Sequence, residues 1–363
     1  MPGEIPYPAF QHAPCFGAPR KRLRARHARG ASILHDPVMT LGERPGRSGG
    51  PRPDVKGPFV IDPYYLQQLA IGLSQGVIYA LMAIGFTLIF GVLNVVNFAH
   101  GEVYTLGAFI GLLVITVFAP PFLVVLLVVL AFGAAMGVGL ERIAFKPFRR
   151  FSDEASLKSR AMRESTLMSS LAVSIVAREG LEYAFGSQMQ VLPFDYLINT
   201  PIELGPVTIV TGDVIIFAVA ALMLGGLQYL LTRTRAGLSI RAVSANPLGA
   251  KYVGIDTDRT ILTTFALGSM MGAGAGILVG LYYGAIFPAM GFVPGIKAFV
   301  AMVMGGLSSI PGAVICALLL GLSEGLATTF ISSSWADMVA YGFLIATLIF
   351  FPQGLFGAGR ERV

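Results

Sequence analysis

Residues 66–92 read LQQLAIGLSQGVIYALMAIGFTLIFGV, an apolar run longer than the ~20 residues that carry an α-helix across a ~30 Å hydrocarbon core. Further runs occupy roughly 103–118, 122–145, 165–185, 213–232, 260–286, 293–310, 313–332 and 337–356. Across all 363 residues 55% are hydrophobic and 13% charged, with a mean hydropathy of +0.72, whereas a soluble domain carries about 25% charged residues. A soluble fold would have to bury helices that are apolar all round, which a chain of this length cannot do many times over. The reading is therefore an all-α, polytopic transmembrane helix bundle of about eight to nine spans. Several runs are short or glycine-broken, the pattern of half-helices or re-entrant segments.

The charge is unevenly divided. Residues 1–60 hold ten Lys/Arg against four Asp/Glu, while residues 61–363 hold sixteen of each sign. The whole net charge of +6 thus belongs to the tail, and nucleic acid is not implied for the rest. We read 1–60 as a basic, disordered N-terminal extension and 61–363 as the membrane domain. No apolar stretch of 7–15 residues follows the run Arg20-Lys21-Arg22-Leu23-Arg24-Ala25-Arg26, so it is not a secretory signal. Met39 is a candidate internal start, and a basic arm for anionic lipid headgroups is the functional alternative. Cys15 and Cys316 suggest neither a disulfide framework nor a zinc site.

Lys and Arg also set the orientation. The loop at 146–163 carries Lys146, Arg149, Arg150, Lys158, Arg160 and Arg163, and that at 233–259 carries Arg233, Arg235, Arg241, Lys251 and Arg259. Between them, 186–212 carries Asp195 and Glu203 and neither Lys nor Arg. The basic loops are expected in the cytoplasm and the acidic one outside, with Arg360 and Arg362 returning inside. Three spans before residue 146 put the N-terminal end outside together with its basic tail, which is relieved either by a tail absent from the mature protein or by an even number of crossings within 66–118.

Polar residues at membrane depth are expensive unless they face protein or water. The densest group is Asn94-Val95-Val96-Asn97-Phe98-Ala99-His100-Gly101-Glu102, which interrupts the apolar stretch 66–118. It reads either as a re-entrant, cavity-lining segment or as a loop at the membrane surface. Glu324 stands in the run 313–332 beside Ser323 and Gly325, a lone intramembrane carboxylate and so a candidate functional residue. Asn94, Asn97, His100, Glu102 and Glu324 are accordingly candidates for a translocation path. Lys297 lies near a span end and is expected to snorkel; Arg178 and Glu182, four apart, are expected to pair. Gly268, Gly272, Gly276 and Gly280 recur every four residues, the spacing that lets helix backbones approach in lipid, and Gly321 and Gly325 continue it.

The segment Arg235–Arg259 reads as two short helices. Asn246 suits an N-cap and Pro247 the first helical position; Leu248, Ala250, Lys251, Tyr252 and Val253 follow, and Gly254 can close the helix in a left-handed conformation. Such a capped, half-apolar helix is a docking element, or else a connector lying on the lipid surface. The sequence has no G-x-x-x-x-G-K-[ST], H-E-x-x-H or G-x-S-x-G motif, so no active site is legible. No cofactor or metal is expected on this chain.

Several of these blocks resemble the LivH-type permeases, the membrane subunits of branched-chain amino-acid ABC importers. They are Gly72-Leu73-Ser74-Gln75-Gly76, Tyr79-Ala80-Leu81, Gly85-Phe86-Thr87-Leu88 and Asn97 to Glu102 in the first half. In the second half they are Arg233 to Gly237, Gly254 to Arg259, Gly295 to Phe299, Met304 to Leu307, Ile310 to Ala313 and Phe351 to Leu355. Ser308 stands where the family tends to have glycine, and the basic tail has no family counterpart. The resemblance implies a bacterial cytoplasmic-membrane permease working by alternating access. Its implied partners are a second related permease, two ATPase subunits that carry ATP and Mg, and a periplasmic amino-acid binding protein. It also implies that Asn246–Gly254 is the coupling helix seated on an ATPase.

Two other readings compete. Related permeases carry urea and short amides, where a residue other than Phe98 is expected in the Asn97–Gly101 block. A stand-alone, proton-coupled secondary transporter would use His100, Glu102 or Glu324 as proton carriers, with strongly raised carboxylate pKa values.

Overall fold

The computed structural model describes residues 63–150, 160–193, 196–197, 200–204 and 207–357. The basic extension 1–60, with Cys15 and Met39, lies outside the described residues, as do Lys158, Asp195, Arg360 and Arg362. In chain order the helices are α1 (Pro63–Leu93), α2 (His100–Phe118), α3 (Phe122–Leu140), α4 (Lys146–Arg150), α5 (Arg160–Phe185) and α6 (Thr211–Arg233). Then follow α7 (Arg235–Ala245), α8 (Pro247–Tyr252), α9 (Thr257–Tyr283), α10 (Phe292–Gly305), α11 (Ile310–Phe330) and α12 (Ala336–Phe350). A π-helical turn, Glu141–Phe145, joins α3 to α4. Four short strands complete the list: β1 (Gln190–Val191), β2 (Pro201–Leu204), β3 (Val207–Val210) and β4 (Ala285–Ile286).

Each apolar run read from the sequence falls on a helix. Among the described residues seven helices are long and apolar enough to cross a membrane. The two other runs depart for different reasons. α5 is 26 residues long but carries Arg163, Glu164, Arg178, Glu179 and Glu182 along it. α10 is apolar but has only 14 residues, about 21 Å at ~1.5 Å per residue, short of a ~30 Å core.

Contacts fix which ends lie together. Tyr65 stacks on Phe330 at 5.5 Å, and Gln75 Nε2 donates to the Tyr283 hydroxyl at 3.0 Å. β1 pairs antiparallel with β4, Gln190 opposite Ile286, and the Tyr196 hydroxyl donates to the Pro120 carbonyl at 2.6 Å. These place the start of α1, the α2–α3 link, β1, Tyr196 and the ends of α9 and α11 at one end of the bundle. At the other end Ser244 Oγ donates to the Gly91 carbonyl at 2.6 Å and Leu355 N to the Met304 carbonyl at 2.7 Å. α4, α7 and α8, with their Lys and Arg residues, belong to that second end, so Pro63 lies opposite the basic loops.

α1 is 94% buried across its apolar window and α12 only 11%, so α1 is enclosed by its neighbours and α12 is peripheral. Lipid tails are as apolar as leucine, so association here comes from close packing. On α9 a Cβ added at Gly268 would meet the Gly85 carbonyl oxygen at 3.1 Å, one at Gly272 would meet His100 Cε1 at 2.9 Å, and one at Gly280 would meet Ile286 Cδ1 at 3.0 Å. At Gly276 the Tyr104 carbonyl oxygen leaves no room for a Cβ at all. The stripe therefore seats α9 against α1 and α2. A second stripe joins α1 to α11: a Cβ at Gly72 would lie 2.7 Å from the Gly321 carbonyl oxygen, and one at Gly76 2.9 Å from Leu318 Cα.

Gly276→Leu should push α2 off α9 and lower the yield of folded protein extracted in mild detergent at least fivefold. Gly225→Leu, on α6 with nothing within 4 Å of the added carbon, should leave the yield within twofold. Equal yields would remove the packing role of the stripe.

Candidate functional site

The polar run 94–102 is the break between α1 and α2, and the structure gives its residues separate tasks. Asn94 takes a left-handed backbone, φ 53°, and its N–H donates to the Phe90 carbonyl at 2.7 Å, which ends α1. Asn97 is buried; its Oδ1 accepts from Ala99 N at 3.1 Å, and its carbonyl accepts from His100 N at 3.2 Å, folding the chain into α2. His100 is wholly buried. Its ring stands edge-on to Phe86, centroids 4.6 Å apart, in space left free by Gly85 and Gly272. Glu102 is buried, and its Oε1 accepts from Ser174 Oγ on α5 at 3.2 Å. Because α2 starts against the middle of α9, its first turn lies inside the bundle.

Glu324 belongs to a different cluster and is not alone. Lys297 Nζ of α10 lies 3.0 Å from Glu324 Oε1 and 2.8 Å from Asp337 Oδ1 of α12. The Tyr79 hydroxyl of α1 donates to Glu324 Oε2 at 3.0 Å and accepts from Lys297 Nζ at 3.4 Å. The expectation that Lys297 snorkels to the surface is overturned. Its side chain is 8% exposed, turned inward to the two carboxylates and the Tyr79 hydroxyl. Sequence reasoning missed Asp337 and Tyr79: an acidic residue at a helix start and a tyrosine in an apolar run are both ordinary alone. Arg178 and Glu182 form their predicted pair at 3.3 Å, partly exposed. Among the described residues no group of three or more His, Cys, Asp or Glu is placed to hold a metal ion.

At the opposite end α7 and α8 are capped locally. Thr234 accepts from Gly237 N at 3.2 Å to start α7, and Asn246 Oδ1 accepts from Gly249 N at 3.0 Å to start α8, with Pro247 in its first turn. Gly254 adopts φ 84°, the left-handed conformation that glycine takes without strain, while Ile255 N donates to the Ala250 carbonyl at 3.0 Å. Ala250 is buried against the bundle, whereas Leu248, Tyr252 and Val253 are exposed. Asp256 Oδ1 then accepts from Arg259 N at 3.0 Å and caps α9. Beside α8 a cleft of about 760 Å³ is lined by Asn94, Gln228, Arg241, Ser244, Ser309 and Gln353, among others. Of the five path candidates, Asn94 faces this cleft, Asn97 is buried in the α1–α2 link, His100 and Glu102 share the first turn of α2, and Glu324 sits with Lys297.

Removing one member of a buried ion pair leaves an uncompensated charge, at a cost of about 3–5 kcal/mol, whereas replacing both is often nearly neutral. Lys297→Met should therefore lower thermal stability in detergent far more than Lys297→Met combined with Glu324→Gln. A double variant less stable than the single one would contradict the pairing.

Residues 68–348 match the family described as branched-chain amino acid transport system / permease component. The high-affinity branched-chain amino acid transport system permease protein BraD of Pseudomonas aeruginosa is 36% identical over 306 residues, 81% of this chain and 96% of that protein. The corresponding LivH of Escherichia coli K12 is 35% identical over 307 residues, again 81% and 96%. A probable branched-chain amino acid transport permease protein LivH of Methanocaldococcus jannaschii is 30% identical over 310 residues, 80% and 93%. No solved structure matches the chain.

Proposed function

The chain belongs to the branched-chain amino acid transport system permease family, and on that footing we propose that it is the membrane-spanning subunit of an ABC importer for branched-chain amino acids. The observation that carries this reading is identity of about a third along nearly the whole length of relatives named for that transport. The chain has no P-loop motif of its own, so ATP hydrolysis falls to two partner ATPases. A second related permease completes the membrane path, and an extracytoplasmic binding protein delivers the amino acid. The membrane is the bacterial cytoplasmic one, with the basic α4, α7 and α8 end inside.

α8 is the coupling helix in this reading. Leu248, Tyr252 and Val253 offer an ATPase an apolar contact, and Ser244 on α7 ties the same unit to the end of α1. Closure of the ATPases would push α8, and through α7 the enclosed helix α1, between outward- and inward-open arrangements. Val253 is 76% exposed, so Val253→Asp should spare the bundle while reducing co-purified ATPase about tenfold and uptake with it. Unchanged co-purification and uptake would sink the coupling assignment.

The reading as a whole is tested by purifying the chain from native membranes in mild detergent and identifying its partners by mass spectrometry. ATPases and a second apolar permease are expected. A chain that purifies alone and still supports gradient-driven uptake would establish the proton-coupled alternative. Deletion of residues 1–58 should leave uptake within twofold of the full chain, and its loss would give the extension a function.

A further inference from the structure

A branched-chain amino acid has an apolar side chain but travels as a zwitterion. Two full charges brought to membrane depth without partners are prohibitively costly, so the path must hold a cation for the carboxylate and an anion for the ammonium. Among the residues whose side chains the structure describes, Lys297 is the only buried Lys or Arg. We propose that Lys297, fixed in place by Glu324 and Tyr79, receives the α-carboxylate of the amino acid in the membrane, and that Asp337 receives its α-ammonium. This rests on the importer reading and names a binding site within it.

Three features of the cluster carry the assignment. The first is its composition: one ammonium faces two carboxylates, where a pair built only to hold helices together needs one. An arriving zwitterion would replace the Lys297–Asp337 contact with two others, Lys297 to carboxylate and ammonium to Asp337, with every charge still paired.

The second is the difference in burial. The Lys297 and Glu324 side chains are 8% and 2% exposed, but that of Asp337 is 57% exposed. The fixed partners are deep, and the exchangeable one stands at the surface, in the first turn of α12. The third is the surrounding chemistry. Gln75 lies one helical turn before Tyr79 on α1 and holds the Tyr283 hydroxyl, continuing the polar lining from the cluster to the end of the bundle where a binding protein would dock.

The test uses the whole transporter, with its partner permease, ATPases and binding protein, in proteoliposomes supplied with ATP and radiolabelled leucine. The double variant Lys297→Met, Glu324→Gln removes the recognition cation without stranding a buried charge, the remaining Asp337 carboxylate being 57% exposed. It should assemble with its partners yet take up leucine at least tenfold more slowly. Uptake within twofold of the unaltered transporter would overturn the proposal.

A second measurement decides even where that variant fails to assemble. Ser334→Cys, in a Cys15→Ser, Cys316→Ala background, places a thiol at an exposed position one turn before Asp337 and leaves the proposed site intact. Its labelling by a water-soluble maleimide should slow at least threefold with saturating leucine and binding protein, and an unchanged rate would overturn the proposal. If the unaltered transporter moves no leucine on ATP, the importer reading itself fails. If it moves leucine and the double variant keeps pace, only the assignment at Lys297 fails.

Discussion

In hydrocarbon an apolar side chain gains nothing by turning inward, so helices are held together by how closely their backbones can approach. Two glycine stripes meet that constraint. One presses α9 onto α1 and α2 through Gly268, Gly272 and Gly276, with Gly280 against Ile286 of β4; the other presses α1 onto α11 through Gly72, Gly76, Gly321 and Gly325. The polar sites depend on these contacts. The imidazole of His100 occupies the gap left by Gly85 and Gly272. Tyr79, one turn beyond Gly76, reaches Glu324, one turn beyond Leu320, because the two helices are so close.

Much of this was legible from residue types alone. Apolar runs marked every long helix, since length and hydropathy are properties of a segment rather than of its neighbours. The caps of α8 were equally readable: Asn246, Pro247 and Gly254 act within a few residues of themselves. Partnership between distant segments was not. Glu324 read as a lone carboxylate and Lys297 as a snorkelling end, because nothing in either sequence neighbourhood indicates that α10, α11 and α12 bring them together with Asp337. The α1–α11 stripe was half seen, through Gly321 and Gly325, and Gly72 and Gly76 had no visible counterpart until the helices were paired. The nine-residue polar run looked like one site, yet it divides into a helix stop, a helix start and two buried groups.

The two ends of the bundle differ in kind. The end with α7 and α8 is built from short, locally capped helices with exposed Leu248, Tyr252 and Val253, suited to being pushed as a unit. The other end is closed by strand pairing between β1 and β4 and by aromatic contacts such as Tyr65 on Phe330. α1 runs between them, almost wholly enclosed, and carries Tyr79 to the buried charges.

The shortness of α10 has an electrostatic consequence. Its first turn begins inside the bundle, where Gly291 lies against the Gly101 carbonyl, and a helix N-terminus carries roughly half a positive charge from its unpaired N–H groups. The first turn of α10 contains no acidic residue to offset this, whereas α2, which also starts inside, has Glu102. The acidic groups nearest the one lysine of α10 come instead from neighbouring helices, Glu324 of α11 and Asp337 of α12.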